Sequence, residues 1–154
     1  MKLYLLRHGD AVPEYIDSNR PLSRLGESEI RKIAGYLKTK GVQPADIFHS
    51  DKKRAVQSAK IVEQTIKSGA PLTPKDYLAP EDTIEHILKD IAGRSQDLMI
   101  VGHLPFLGML ASTLVLADEN KKLVSFSTGT LVVLSNQADG TWKMDWSINP
   151  REIL

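Results

Sequence analysis

The sequence predicts an α/β fold with a mostly parallel central sheet, helices on both faces and an antiparallel hairpin at its C-terminal edge. Short apolar runs alternate with helical patterns along most of the chain, and such alternation forms right-handed crossovers in a parallel sheet. Near the C-terminus the pattern changes to two β-rich segments separated by a glycine. The 154 residues contain no segment typical of a linker, so we expect a single domain over 1–154.

Three apolar runs have the pattern of strands that are buried on both faces of a parallel sheet. They are Leu3-Tyr4-Leu5-Leu6, Ile47-Phe48 and Leu98-Met99-Ile100-Val101. Each run is followed closely by polar residues. We therefore expect all three runs to lie in the interior of the sheet.

Four segments repeat apolar residues at the spacing of an amphipathic helix. Ser23 is the candidate N-cap of the first helix and Ser50 that of the second, whereas Pro105 suits the first position of the fourth. The positions that mark the inward face of each helix are Ile30, Ile33, Ala34 and Leu37; Ala55, Ser58, Ala59, Val62 and Ile66; Ile84, Ile87, Leu88 and Ile91; and Leu107, Leu110, Ala111 and Leu114.

The C-terminal part of the chain changes to a β pattern. After a β-rich run and a turn at Gly140, the apolar residues Trp142, Met144, Trp146 and Ile148 alternate with polar ones. Alternation with a period of two is typical of a half-buried strand. The pattern predicts an antiparallel hairpin at a sheet edge, with this stripe of side chains packed on the core.

Composition and charge restrict the classes of function. The 20 Lys and Arg residues nearly balance the 19 Asp and Glu, for a formal net charge of +1, which argues against broad binding to nucleic acid or acidic membranes. Cysteine is absent, which excludes disulfides and zinc-thiolate sites and fits a reducing compartment. No apolar run has the length of a signal-peptide core or a membrane helix, so we expect a cytoplasmic protein.

Polar residues that can carry chemistry follow the predicted strands. Arg7-His8 follows the first strand, Ser50 with Arg54 the second, and Gly102-His103 the third. Ligands of open α/β sheets bind outside the carboxyl ends of the strands, so two arginines and two histidines are expected to converge there. Arginine matches the geometry of phosphate oxygens, and histidine can act as a nucleophile or proton carrier. This set suits phosphoryl transfer, whose catalysis consists mostly of positioning and charge stabilisation.

The same residues resemble the sequence pattern of the histidine phosphatase (phosphoglycerate-mutase-like) superfamily. Within that superfamily the chain is most similar to the short SixA-type phosphohistidine phosphatases, and the similarity spans nearly the whole chain. The segments that carry it are Arg7-His8-Gly9-Asp10-Ala11, Arg20-Pro21-Leu22-Ser23, Ser50 with Arg54-Ala55 and Ser58-Ala59, Val101-Gly102-His103-Leu104-Pro105, and Trp146 to Pro150.

The resemblance implies a role for each matching residue. His8 would attack the phosphoryl group and become transiently phosphorylated, and water would then hydrolyse this intermediate. Gly9 has no β-carbon to obstruct the approach of its backbone to the phosphate. The resemblance implies no metal and no cofactor. The implied phosphate-binding residues are Arg7, Gly9, Ser50, Arg54 and His103.

Two departures from the family pattern bear on the substrate. Asp51 replaces the usual proline after the serine, and we expect its carboxylate to face solvent because it would repel phosphate. Pro80 follows Leu78-Ala79, where larger members of the family place a general-acid carboxylate. Such an acid typically contributes about 10²–10⁴-fold when the leaving group is an alkoxide. An imidazole leaving group, whose conjugate acid has a pKa of about 6.5, departs without it.

The predicted function is therefore metal-independent removal of phosphate from protein phosphohistidine. A histidine-phosphotransfer domain is the partner that the resemblance suggests. The segment 69–83 is too short for a substantial lid, and an open site would admit a side chain of a folded protein. Two alternatives stay open: a small-molecule phosphomonoesterase that uses Glu81 or Asp82 as its general acid, and a non-catalytic module that binds phosphohistidine.

Overall fold

The computed structural model describes all residues 1–154 and shows an α/β architecture. Its six strands are β1 (Lys2–Arg7), β2 (Asp46–Ser50), β3 (Leu72–Lys75), β4 (Leu98–Gly102), β5 (Leu131–Asn136) and β6 (Trp142–Ile148). Its four α-helices are α1 (Arg24–Thr39), α2 (Lys53–Ile66), α3 (Glu85–Ala92) and α4 (Phe106–Leu116), and a short 3₁₀ helix (Pro150–Glu152) follows β6. The three buried strands and the four helices predicted from the apolar patterns are confirmed.

One sheet contains all the strands in the order β3-β2-β4-β1-β5-β6. The first four strands of the chain run parallel, whereas β5 is antiparallel to β1 and forms an antiparallel pair with β6 at the edge. Arg7 lies beside Gly102, and His49 lies beside Val101. The carboxyl ends of β1, β4 and β2 are therefore neighbours, and the predicted fold class is confirmed.

Strand β3 has no counterpart in the sequence-based prediction. Its four residues include Pro74, which cannot donate to a strand ladder and is therefore confined to edges, strand starts and bulges. β3 pairs only with β2, at the edge of the sheet. Pairing with β2 rather than a local apolar pattern thus defines this strand.

Apolar side chains pack on both faces of the sheet. On one face, α1 and α2 pack against a cluster that contains Tyr4, Leu6 and Val101. On the other face, α3 and α4 pack against a cluster that contains Leu3 and Leu5. Burial on both faces explains the continuous apolar runs of the inner strands. No helix combines the length and the apolar character that crossing a membrane requires.

The helix starts match the sequence in part. Ser23 is the N-cap of α1, where its Oγ accepts a hydrogen bond from the backbone N–H of Gly26 at 3.0 Å. The prediction that Ser50 caps the second helix is wrong, because α2 has Lys52 at its N-cap and begins at Lys53. Pro105 also lies one position earlier than predicted, at the N-cap of α4.

The apolar stripe of β6 is divided between the two faces of the sheet. Val133 pairs with Trp146, but the next residue of β5 pairs with Met144, so a bulge at Asp145 shifts the register. Trp146 consequently packs on the cluster beneath α1 and α2, and Trp142 packs on the opposite cluster. The prediction that the stripe packs on the core is confirmed for both tryptophans, whereas Met144 is exposed. The tryptophans lie on opposite faces because an inserted residue reverses the face of those beyond it.

Candidate active site

A cavity of about 360 Å³ opens at the carboxyl ends of the parallel strands. It brings together all four residues predicted from the sequence to be catalytic. This convergence follows from the parallel register, because β1 and β4 are neighbouring strands and the segments Arg7-His8 and Gly102-His103 lie side by side at their carboxyl ends. The lining residues are Arg7, His8, Asp10, Ala11, Arg20, Arg54, Pro80, His103, Leu104 and Thr128.

His8 directly follows β1 and is only 6% exposed. Its Nδ1 donates a hydrogen bond to the carbonyl oxygen of Gly9 at 2.7 Å, because a carbonyl can only accept. Nε2 of the neutral ring therefore carries the lone pair, and it has no hydrogen-bond partner in the protein. Burial, together with the charges of Arg54, Arg7 and Arg20, lowers the pKa of His8 to about 4 against an opposing effect of the Gly9 carbonyl. The ring is thus neutral near pH 7.

His103 is the second histidine of the cavity and lies edge-on to His8, with ring centroids 5.0 Å apart. Its Nε2 shares a hydrogen bond of 2.8 Å with Ser50 Oγ. Burial, with smaller contributions from His8 and Arg54, lowers the pKa of His103 to about 3. Its Nδ1 is buried without a hydrogen-bond partner, so a polar atom of the site is left for a ligand.

Arg7 and Arg54 supply positive charge from β1 and from the first turn of α2. Arg7 is held by a hydrogen bond from its Nη1 to the carbonyl oxygen of Phe126 at 2.7 Å. Nε of each arginine is buried without a partner, and neither guanidinium forms an ion pair. Burial lowers the pKa of both side chains. Both nevertheless remain cationic, since arginine does not deprotonate in proteins.

Arg20 is a third arginine in the cavity, and the sequence analysis assigned it no role. It lies in the β1–α1 loop with a φ of 47°, and its Nε donates to the carbonyl oxygen of Val12 at 3.1 Å. A β-bridge between Ala11 and Leu22 closes this loop. The available signal was the segment Arg20-Pro21-Leu22-Ser23, which matches the family pattern.

Gly9 and Ser50, which the resemblance assigns to the phosphate site, do not line the cavity. A β-carbon at position 9 would lie 2.5 Å from the carbonyl oxygen of Gly26, so close packing against α1 requires glycine there. Ser50 is fully buried, and its hydroxyl contacts His103 and accepts from the N–H of Lys52. A direct phosphate contact by Gly9 or Ser50 stays a prediction.

The alternative general acids also lie outside the cavity lining. Glu81 is exposed, and a carboxylate oxygen of Asp82 accepts from the backbone N–H of Ala79 at 2.8 Å. Pro80 itself lines the cavity. Asp51 is exposed, as expected from its charge.

Two carboxylates near the cavity are engaged with neutral donors. Asp10 accepts a hydrogen bond of 2.6 Å from Ser23 Oγ. Glu29 accepts from the backbone N–H of Asp10 at 2.7 Å and from Thr128 Oγ1 at 2.9 Å. Glu29 thereby links the two loops that border the cavity. No group of three or more His, Cys, Asp or Glu side chains is arranged to hold a metal ion.

The fold and the site together define an α/β phosphatase, in which a neutral histidine and three arginines line one cavity. Residues 3–80 match the family model of the histidine phosphatase superfamily, branch 1. The chain belongs to this superfamily. The matched residues include Arg7, His8 and Arg54.

Individual relatives cover nearly the whole chain. The phosphohistidine phosphatase SixA of Escherichia coli K12 is 27% identical over 157 residues, which cover 97% of this chain and 94% of the relative. An uncharacterized protein of Picosynechococcus is 30% identical over 149 residues, covering 90% and 87% of the two chains. The solved structure of the protein histidine phosphatase SixA complexed with tungstate has a TM-score of 0.86 at 23% identity, with 99% of both chains covered. The fold is thus shared along the full length.

Proposed function

We propose that this phosphatase removes phosphate from protein phosphohistidine through a covalent intermediate on His8. One observation carries the proposal: the Nδ1 hydrogen bond leaves Nε2 of a neutral His8 unpartnered in an arginine-lined cavity that Glu81 and Asp82 do not reach. The similarity to phosphohistidine phosphatase SixA of E. coli supports the same substrate class.

In the first step, the lone pair of His8 Nε2 forms a bond to phosphorus, and the bond between phosphorus and the substrate imidazole breaks. The substrate imidazole carries a proton on its other ring nitrogen, so the leaving electron pair stays on the departing nitrogen of a neutral imidazole and no protein acid is needed. Negative charge on the phosphoryl oxygens is stabilised by Arg7, Arg20 and Arg54, and by His103 if its unpartnered Nδ1 carries the hydrogen. That tautomer requires the Ser50 hydroxyl to donate to Nε2.

In the second step, water attacks the phosphohistidine intermediate. A new bond forms between the water oxygen and phosphorus, and the bond to Nε2 breaks, returning the electron pair to His8. The water proton passes to phosphate or solvent, and inorganic phosphate leaves. Two displacements thus replace one difficult displacement.

The absence of a suitable acid favours a nitrogen leaving group. Imidazole has a conjugate acid with a pKa of about 6.5 and departs readily, whereas an alkoxide would need a proton from a general acid. The carboxylate of Asp82 is held by the backbone of Ala79, and the cavity presents Pro80 instead. The site therefore suits cleavage of a P–N bond better than cleavage of a phosphate ester.

The finer properties of the enzyme are part of the proposal. The three arginines supply the charge stabilisation, so we expect hydrolysis without a metal. The substrate is a phosphohistidine-bearing protein, with a histidine-phosphotransfer domain as the type that the family resemblance suggests. The lack of cysteine supports a reducing, cytoplasmic location.

The proposal is tested by parallel hydrolysis of phosphohistidine and a phosphate monoester in EDTA. His8→Ala is expected to lower phosphohistidine turnover by about 10³-fold or more and to abolish the acid-labile phosphate label on the enzyme. His86→Ala is the matched control, since His86 is exposed on α3 and should change neither signal. Turnover and label that persist in His8→Ala would refute the assigned nucleophile. A wild-type preference for the monoester would refute the assigned substrate.

A further inference from the structure

A second concavity, which we call the α4 groove, adjoins the catalytic cavity. It has a volume of about 530 Å³ and lies between the first half of α4 and the segment 119–127. Leu104, Met109, Leu123 and Val124 form much of its apolar surface. Each of these side chains is only partly buried against the core, so the groove presents apolar surface to solvent. Exposed concave apolar surface of this size is typical of binding sites.

The α4 groove borders the catalytic cavity. Leu104 lines both. Ser127 lines the groove and the next residue, Thr128, lines the cavity. Phe126, another groove residue, accepts the hydrogen bond that fixes Arg7. A molecule whose phosphoryl group reaches His8 therefore has its adjacent atoms at the entrance of the groove.

The rim of the groove carries unpaired positive charge. Lys121 and Lys122 line it, both are exposed, and neither forms an ion pair. Glu119 is the one acidic residue of the lining. The arginines of the adjoining cavity add to the positive field. Acidic groups on a bound molecule would therefore be attracted to this side of the site.

We propose that the α4 groove binds apolar side chains of the substrate protein next to its phosphohistidine, with acidic substrate residues beside Lys121 and Lys122. This inference rests on the proposed function and adds the part of the substrate that the cavity cannot hold. His8 is recessed, so the substrate imidazole must enter the cavity while the surrounding protein surface rests on its border. The α4 groove is an apolar depression on that border, and interface affinity is concentrated where apolar anchors fill such depressions.

The test compares two phosphohistidine peptides of equal length together with free phosphohistidine. One peptide carries leucine and glutamate around the phosphohistidine, and the other carries serine and lysine at the same positions. Wild type is expected to hydrolyse the leucine-glutamate peptide with a kcat/KM about tenfold higher, the effect of one buried anchor. Met109→Glu should remove this preference and leave hydrolysis of free phosphohistidine unchanged.

Two further variants complete the test, one as a control and one as a second way to block the groove. Met144→Glu is the matched control, because Met144 is also exposed but lies on β6 outside the groove and the cavity; it should retain the preference. Gly108→Gln fills the groove by another route if Met109→Glu fails to fold. A β-carbon at Gly108 meets only Leu104 Cδ2 at 3.7 Å, an ordinary van der Waals contact, so the helix accommodates the substitution.

The outcomes separate the docking surface from the catalytic activity. Equal hydrolysis of both peptides by wild type, or a preference that survives in Met109→Glu and Gly108→Gln, would overturn the α4 groove as a docking site and leave the phosphatase intact. No hydrolysis of any phosphohistidine substrate by wild type would overturn the function itself. A wild-type dimer in sedimentation that Met109→Glu converts to a monomer would assign the groove to a second copy of the chain and overturn the proposal.

Discussion

Positively charged side chains have different partners at the amino ends and at the carboxyl ends of the parallel strands. At the amino ends, Arg94 pairs with Asp46 at 2.6 Å and Lys2 pairs with Asp145 at 3.2 Å. At the carboxyl ends, the three arginines of the cavity form no ion pair. The cations at the amino ends are neutralised by carboxylates of the protein, whereas those at the carboxyl ends are left for an anionic ligand.

The carboxylates near the cavity explain how this difference is maintained. Asp10 and Glu29 lie close to the arginines, but their oxygens accept hydrogen bonds from Ser23, from Thr128 and from the backbone. Burial lowers the pKa of Arg7, and Glu29 partly opposes this lowering electrostatically without a direct contact. The protein thus keeps negative charge nearby to moderate repulsion among the arginines, and it leaves their donors available to phosphate.

The variant with the largest expected effect removes one arginine of the cavity. Arg54→Gln is expected to lower kcat/KM for phosphohistidine by about 10²–10³-fold, the typical loss when one preorganised donor to transition-state charge is removed. The free energy of unfolding should not fall, because Arg54 has no carboxylate partner and lies near Arg20. Steady-state hydrolysis and denaturant unfolding measure the two effects.

Arg94→Gln provides the matched control at the amino ends of the strands. It breaks the pair with Asp46, so it should lower the free energy of unfolding by at most about 1 kcal/mol, as for pairs that solvent partly screens. Turnover should be unchanged. The distinction between the two ends of the strands would be lost if Arg54→Gln lowered the free energy of unfolding as much as Arg94→Gln does. It would also be lost if Arg94→Gln slowed turnover as much as Arg54→Gln does.

A second test supplies the carboxyl group that the cavity lacks. Pro80→Glu places an acid in the lining and is expected to raise hydrolysis of a phosphate monoester by about tenfold or more, part of the 10²–10⁴-fold that a well-placed general acid typically contributes. Phosphohistidine hydrolysis should rise little, because imidazole departs without an acid. The ratio of the two kcat/KM values is the measurement.

Pro80→Gln controls for loss of the proline ring, since glutamine has the shape of glutamate without its acid. An equal rise in ester hydrolysis in both variants would show that loop shape, and not acid catalysis, limits the reaction. A fall in ester hydrolysis in Pro80→Glu alone would mean that added negative charge near the arginines outweighs proton donation.

The convergence of the site could be predicted because it depends on parallel strands. Arg7 is the last residue of β1, and His8 and His103 directly follow buried strands, so the topology alone brings them together. The position of Arg20 could not be predicted, because the Ala11–Leu22 bridge in an irregular loop sets it. The low pKa of His8 could not be predicted either, because burial is its largest cause and the nearby arginines are smaller ones. Burial depends on tertiary packing that a local pattern does not encode.

The last test concerns the pH dependence of stability. The folded-state pKa of His8 is about 4 and that of His103 about 3, below the ordinary value of about 6.5. The unfolded chain therefore binds more protons between these values, and the free energy of unfolding falls as pH decreases below about 6.5. The loss is at most about 1.4 kcal/mol per pH unit for each histidine.

Denaturant unfolding at pH 7 and pH 5 measures this dependence. His8→Asn should lose less stability than wild type on acidification, because it lacks one of the two groups that must be held neutral. His86→Asn, which replaces an exposed histidine of α3, should match wild type. An identical loss in wild type and His8→Asn would mean that His8 is not kept neutral by the fold. The cavity at the carboxyl ends of the strands would then lack the free lone pair on which nucleophilic attack depends.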